Sequence, residues 1–83
     1  MTNEEVNKII KDEGLRHFNL YNEHSLKENE AGIRKSNNNQ WEVYVTDERA
    51  SIVQGSITEF NNESDALNNF IKRLRTEKIL YEY

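Results

Sequence analysis

Trp41-Glu42-Val43-Tyr44-Val45-Thr46 is the stretch that decides the fold. Trp41, Val43 and Val45 alternate with Glu42, Tyr44 and Thr46, the period-2 pattern of a strand with one face on a core. Upstream, Ala31-Gly32-Ile33-Arg34-Lys35 is followed by the turn formers Ser36-Asn37-Asn38-Asn39, so the two segments form a hairpin. Downstream, Asp47-Glu48-Arg49-Ala50 is a polar turn, and Ser51 to Phe60 reads as a further strand with Gly55 as a bulge.

Helices flank this centre. Thr2-Asn3-Glu4-Glu5 is a capping box, in which a Thr hydroxyl and a Glu carboxylate serve orphan backbone N–H groups. Val6, Ile9 and Ile10 follow at helical spacing, and Gly14 stands where a left-handed C-cap favours glycine, so a short helix is expected over about 3–13. Asn61 or Asn62 caps a second helix, with Glu63 and Asp65 early and Lys72, Arg73, Arg75 and Lys78 late, as the helix dipole favours. Leu67, Phe70, Ile71 and Leu74 form its apolar stripe beside Ala66, and Tyr81 extends it if the helix runs that far. Residues 16–27 are the least legible: Phe18, Leu20 and Leu26 read as buried, and Arg16 to Tyr21 as an optional extra strand. The expectation is one α+β domain over residues 1–83, with three or four antiparallel strands and both helices packed on one face.

The chain has 83 residues, and Leu, Ile, Val and Phe number 20 of them, enough for a small core. Several classes drop out. No apolar run approaches membrane-spanning length. The N-terminal residues lack the basic start and apolar stretch of a signal peptide. The absence of Cys excludes disulfides and thiolate chemistry and points to the cytoplasm. With 15 acidic and 11 basic residues the net charge is −4, the wrong sign for a nucleic-acid binder. No membrane partner is expected.

The residues give little support to catalysis. His17 and His24 match no metal-ligand spacing, no Ser or Thr lies in a nucleophile motif, and three scattered glycines cannot cradle a phosphate. The adjacent pairs Asp12-Glu13 and Asp47-Glu48 read as solvated helix-end and turn carboxylates. No catalytic residue, metal or cofactor is expected, and the protein is read as a non-enzyme. The basic residues late in the second helix read as its solvated side. What stands out is negative charge on the central hairpin, where Glu42, Asp47, Glu48 and Glu59 face only Arg49. If helices cover one sheet face, Glu42, Tyr44 and Thr46 point the other way, leaving Tyr44 exposed on an acidic surface, and Tyr is enriched at binding hot spots.

Trp41 to Ala50, followed by Phe60-Asn61-Asn62-Glu63-Ser64-Asp65-Ala66 and then Phe70, Ile71 and Leu74, resembles the small immunity proteins of bacterial polymorphic toxin systems over roughly residues 30–75. That resemblance implies a cytoplasmic protein that binds one cognate toxin domain and blocks its active site or substrate path. An acidic surface suits a basic partner such as a nuclease. The expected contacts are Glu42, Asp47, Glu48 and Glu59, with Tyr44 as the anchor. The rival reading is a small homodimeric regulatory or structural protein of a phage or mobile element, paired through its sheet. Monomer and homodimer are both left open.

Overall fold

Thr2 caps the first helix, α1 (Asn3–Glu13), by accepting the Glu5 N–H at 3.2 Å, and Gly14 closes it in the left-handed conformation at φ 62°. The computed structural model describes residues 1–36 and 39–81, without the side chains of Leu80 and Tyr81. The strands are β1 (Phe18–Leu20), β2 (Ala31–Lys35), β3 (Trp41–Val45) and β4 (Thr58–Phe60), followed by α2 (Glu63–Tyr81). They form one four-stranded sheet in chain order. The hairpin register pairs Ile33 with Val43 and Gly32 with Tyr44. Part of its turn, at residues 37 and 38, lies outside the described residues.

The second helix starts where the Asn cap predicts: Asn62 Oδ1 accepts the Asp65 N–H at 2.8 Å. Its expected stripe is its buried face, with Ala66, Leu67, Phe70, Ile71 and Leu74 all at 1% exposure or less. They meet Ala31, Ile33 and Val43 from the sheet and Val6 from α1. Trp41 and Val45 pack at the edge of this core, half-buried. The extension of the stripe to Tyr81 lies outside the described side chains.

Four expectations change. β1 pairs with β2 in parallel, so the sheet is mixed rather than wholly antiparallel. Residues 51–60 do not form one strand: Ile52 bridges Thr46, a 3-10 turn spans Gln54–Ser56, and only Thr58–Phe60 pairs with β3. Gly55 therefore sits in a turn and is not a bulge. Leu26 is 41% exposed rather than buried.

The fourth change follows from the first. A parallel pair needs a crossover connection. Here residues 21–30 make the crossing without a helix, and because the helices occupy one sheet face, this segment runs over the other. Tyr44 lies beneath it, fully buried, where an exposed residue was expected. Its ring rests on Gly32, its hydroxyl reaches Asn22 Oδ1 at 3.4 Å, and the Arg34 guanidinium stands 5.2 Å from the ring centre.

Candidate partner-binding surface

The turn after β3 is built by Asp47. Its Oδ1 accepts the N–H groups of Arg49 at 2.8 Å and Ser51 at 3.0 Å, and these bonds, Ser51 foremost, hold its carboxyl below the usual range. Glu48 and Arg49 are exposed on this turn. The turn is fastened to the crossover, since the Asn29 N–H donates to the Asp47 carbonyl at 3.0 Å.

The crossover has its own internal order. Glu30, only 2% exposed, accepts the Lys27 N–H at 3.1 Å through Oε1, and its Oε2 lies 3.5 Å from His24 Nε2. Thr46 Oγ1 accepts the Glu30 N–H at 2.9 Å and donates to the Lys27 carbonyl at 2.7 Å. Asn19 donates to the His24 carbonyl at 3.1 Å. Asn19, Glu30 and Thr46 are the buried polar side chains among the described residues, and all three bind the crossover. Both ring nitrogens of His24 face carbonyl oxygens, Ser25 at 2.6 Å and Phe18 at 3.0 Å. Only the imidazolium can donate to both, and these two contacts, with the Glu30 charge, raise its pKa.

Between the Asp47–Ala50 turn, the crossover and the start of β1 lies a groove of about 730 Å³. Its lining includes His17, Asn29 and Ala50, whose φ angles are 61°, 51° and 61°. A left-handed non-glycine residue costs about 1–2 kcal/mol when the side chain is not Asn or Asp, so His17 and Ala50 hold strained backbone at its rim.

The structure divides the expected contacts into two groups. Glu42 and Glu59 are cross-strand partners near the far end of the sheet. Glu42 is taken up by Arg34 Nε at 3.0 Å, and Lys35 stands over the Trp41 ring nearby at 5.4 Å. Asp47 and Glu48 lie beyond the other end of β3, about 15 Å away along the strand at its usual rise. Tyr44 lies between the groups but under the crossover. Sequence reading missed Glu28, Glu30 and His24 as parts of this surface. The signal was present as acidic residues on both sides of Lys27, but Arg16, Arg34 and Lys35 offset it when charge is summed over 14–36.

A second, smaller indentation of about 260 Å³ lies where α2 crosses Val45. Glu77 borders it with a buried Oε2 that has no hydrogen-bond partner among the described residues. Burial, helped by the Glu30 charge, raises its pKa from 4.5 to about 7. Between those values the unfolded chain ionises first, so stability is lost as pH rises and the penalty is complete above about 7. Glu77→Gln should therefore be more stable than wild type by about 1–2 kcal/mol at pH 8.5, after discounting for partial exposure, and equal to it near pH 4. Urea titrations at the two pH values read the difference; an equal difference at both would refute it.

No group of three or more His, Asp or Glu among the described residues could hold a metal ion, and no described helix is long and apolar enough to cross a membrane. Over residues 1–81 the chain matches the family model described as immunity protein 59. No curated protein and no solved structure matches it.

Proposed function

We propose, from the premise that the chain belongs to the immunity protein 59 family, that it binds a cognate toxin domain one-to-one and neutralises it without catalysis, by covering the toxin's active site or substrate path. The system it serves is of the polymorphic toxin kind, and it acts in the cytoplasm, where an unexported toxin would do harm. The observation that carries this reading is Glu48, exposed and without a partner among the described residues, on a turn that Asp47 holds rigid. A carboxylate on a preset turn loses little freedom on binding, and pairing with Lys or Arg speeds association. Glu42 and Glu59 are the further contact candidates on the toxin side. Tyr44, being buried, supports this surface from below instead of anchoring the toxin. A basic nuclease is the toxin type whose own phosphate-binding surface would best complement these carboxylates.

The test is capture: tagged protein is exposed to source-cell lysate and washed at low and then high salt. A single stoichiometric partner, whose isolated domain kills an unprotected host and spares one that makes this protein, is the expected result. Recovery of only a second copy of the chain, from cells shown to make such a toxin, would favour the homodimeric regulator.

A further inference from the structure

The ring of His24 meets both ends of the crossover. Its Nε2 lies 3.0 Å from the Phe18 carbonyl oxygen and 3.5 Å from Glu30 Oε2, and its Nδ1 lies 2.6 Å from the Ser25 carbonyl oxygen. Carbonyl oxygens only accept, and a neutral imidazole has one N–H. Without its second proton the ring would set a nitrogen lone pair against a carbonyl lone pair. The backbone beneath the ring is fixed, because fully buried Asn19 donates to the His24 carbonyl at 3.1 Å.

The Phe18 carbonyl has no partner in the sheet. β1 is an edge strand. In its parallel ladder the Ala31 N–H reaches the His17 carbonyl, and the Tyr21 N–H reaches the Ile33 carbonyl. Alternation then turns the Phe18 carbonyl away from β2, toward the open edge. His24 covers that carbonyl. Glu30 lies at the far end of the crossover, with its main chain bound to Thr46. One ring therefore joins the outer edge of the sheet to the start of β2.

The charges around the ring come from three sides. On the groove lining, Glu28 and Glu48 are balanced by Lys27 and Arg49, with His17 beside them. Glu30 is left as the uncompensated charge, and it is only 2% exposed. The carbonyls of Ser25 and Phe18, and then Glu30, hold the His24 pKa above the usual imidazole value. From α2, Glu77 acts on Glu30 and ionises only near pH 7. The folded chain holds both protons more tightly than the unfolded chain does. The stabilisation is complete at low pH and is lost as pH rises through the raised values. Rising pH thus takes a cation from one side of Glu30 and adds an anion on the other.

We infer that residues 21–30 are held to the sheet by a proton-dependent clasp, in which the His24 imidazolium grips the Phe18 and Ser25 carbonyls and the Glu30 carboxylate, and loss of the ring proton loosens the segment. The main-chain links to Thr46 and Asp47 remain, so the clasp sets how often the crossover opens. The Asn29 N–H bond to the Asp47 carbonyl passes this loosening to the turn that carries Glu48. The clasp is a property of the chain alone and holds whatever that turn binds.

The test uses full-length protein labelled with ¹⁵N and ¹³C. Ring resonances follow the His24 proton, and amide exchange gives protection factors for Lys27, Asn29 and, as a reference, Phe70 of α2. His24 should keep its proton above the usual imidazole range. Between about pH 6 and about pH 8.5, protection at Lys27 and Asn29 should fall about tenfold relative to Phe70. In Glu77→Gln, which removes the titration on the α2 side of Glu30, the fall should persist. In His24→Gln the relative protection should stay within about twofold across the same range. No fall in wild type, an equal fall in His24→Gln, or its loss in Glu77→Gln would overturn the inference. So would a His24 ring that gives up its proton at or below the usual imidazole value, a reading that needs no variant to fold.

Discussion

Gly32→Ala should cost about 3 kcal/mol, at the upper end of what one added methyl does to a packed interior. A Cβ built on Gly32 would lie 2.3 Å from Cζ of Tyr44, 2.4 Å from its hydroxyl oxygen and 2.7 Å from Cε2. The ring cannot easily yield, because Tyr44 is fully buried under the crossover. Backbone strain does not enter, since Gly32 is not among the residues with positive φ, and alanine is no worse than glycine in a strand interior. A domain of this size has a total stability of roughly 4–12 kcal/mol, so the loss should lower Tm by about 12–24 °C. A double-mutant cycle makes the cause visible. In a Tyr44→Val background the same change should cost less than about 1 kcal/mol, because the ring that occupied the space is gone. Equal costs in both backgrounds would show that Gly32 is needed for some other reason.

Glu30→Ala should cost about 1–3 kcal/mol, because it leaves the part-buried Lys27 N–H without its acceptor and empties the space of a side chain that is only 2% exposed. The Lys27 N–H loses its bond to Oε1, and His24 loses the carboxylate at 3.5 Å. The main-chain links of residue 30 to Thr46 survive, so the damage should be local. Hydrogen exchange should accelerate at the Lys27 and Asn29 amides before the α2 amides respond. Glu30→Gln keeps an acceptor for Lys27 but removes the charge facing His24, so its cost should be intermediate. A Glu30→Ala protein within about 0.5 kcal/mol of wild type would show that the carboxylate does not fix the crossover.

Both predictions concern the sheet face under the crossover, which sequence reading took to be exposed. The helices were legible because their signals are local: a Thr cap, a Gly stop, an Asn cap and an apolar stripe each act within a few residues. The hairpin was legible because Trp41, Val43 and Val45 alternate cleanly. The parallel placement of β1 was not, because Phe18–Leu20 is only three residues long and its partner is set by where the crossover runs. That long-range choice buries Tyr44, and it carries Glu28 and Glu30 to the Asp47–Ala50 turn. Glu48 and Asp47 could be picked from sequence because they share a turn with a family resemblance. Their companions on the crossover could not, since nothing local marks residues 27–30 as neighbours of residues 47–50.

The split of the expected acidic surface has the same origin. Glu42, Asp47, Glu48 and Glu59 look like one patch when counted along the hairpin. In the fold, Glu42 is paired with Arg34 and faces Glu59, while Asp47 and Glu48 join the crossover at the opposite end.

The central claim is that this chain silences a toxin by forming a one-to-one complex with it. The most direct test mixes the purified chain with its captured toxin domain, separates the species by size-exclusion chromatography with light scattering, and assays toxin activity across the same fractions. A single species with the mass of one copy of each, and no toxin activity in it, is the predicted result. A complex in which the toxin remains fully active, or two proteins that elute apart while the chain pairs only with itself, would contradict it.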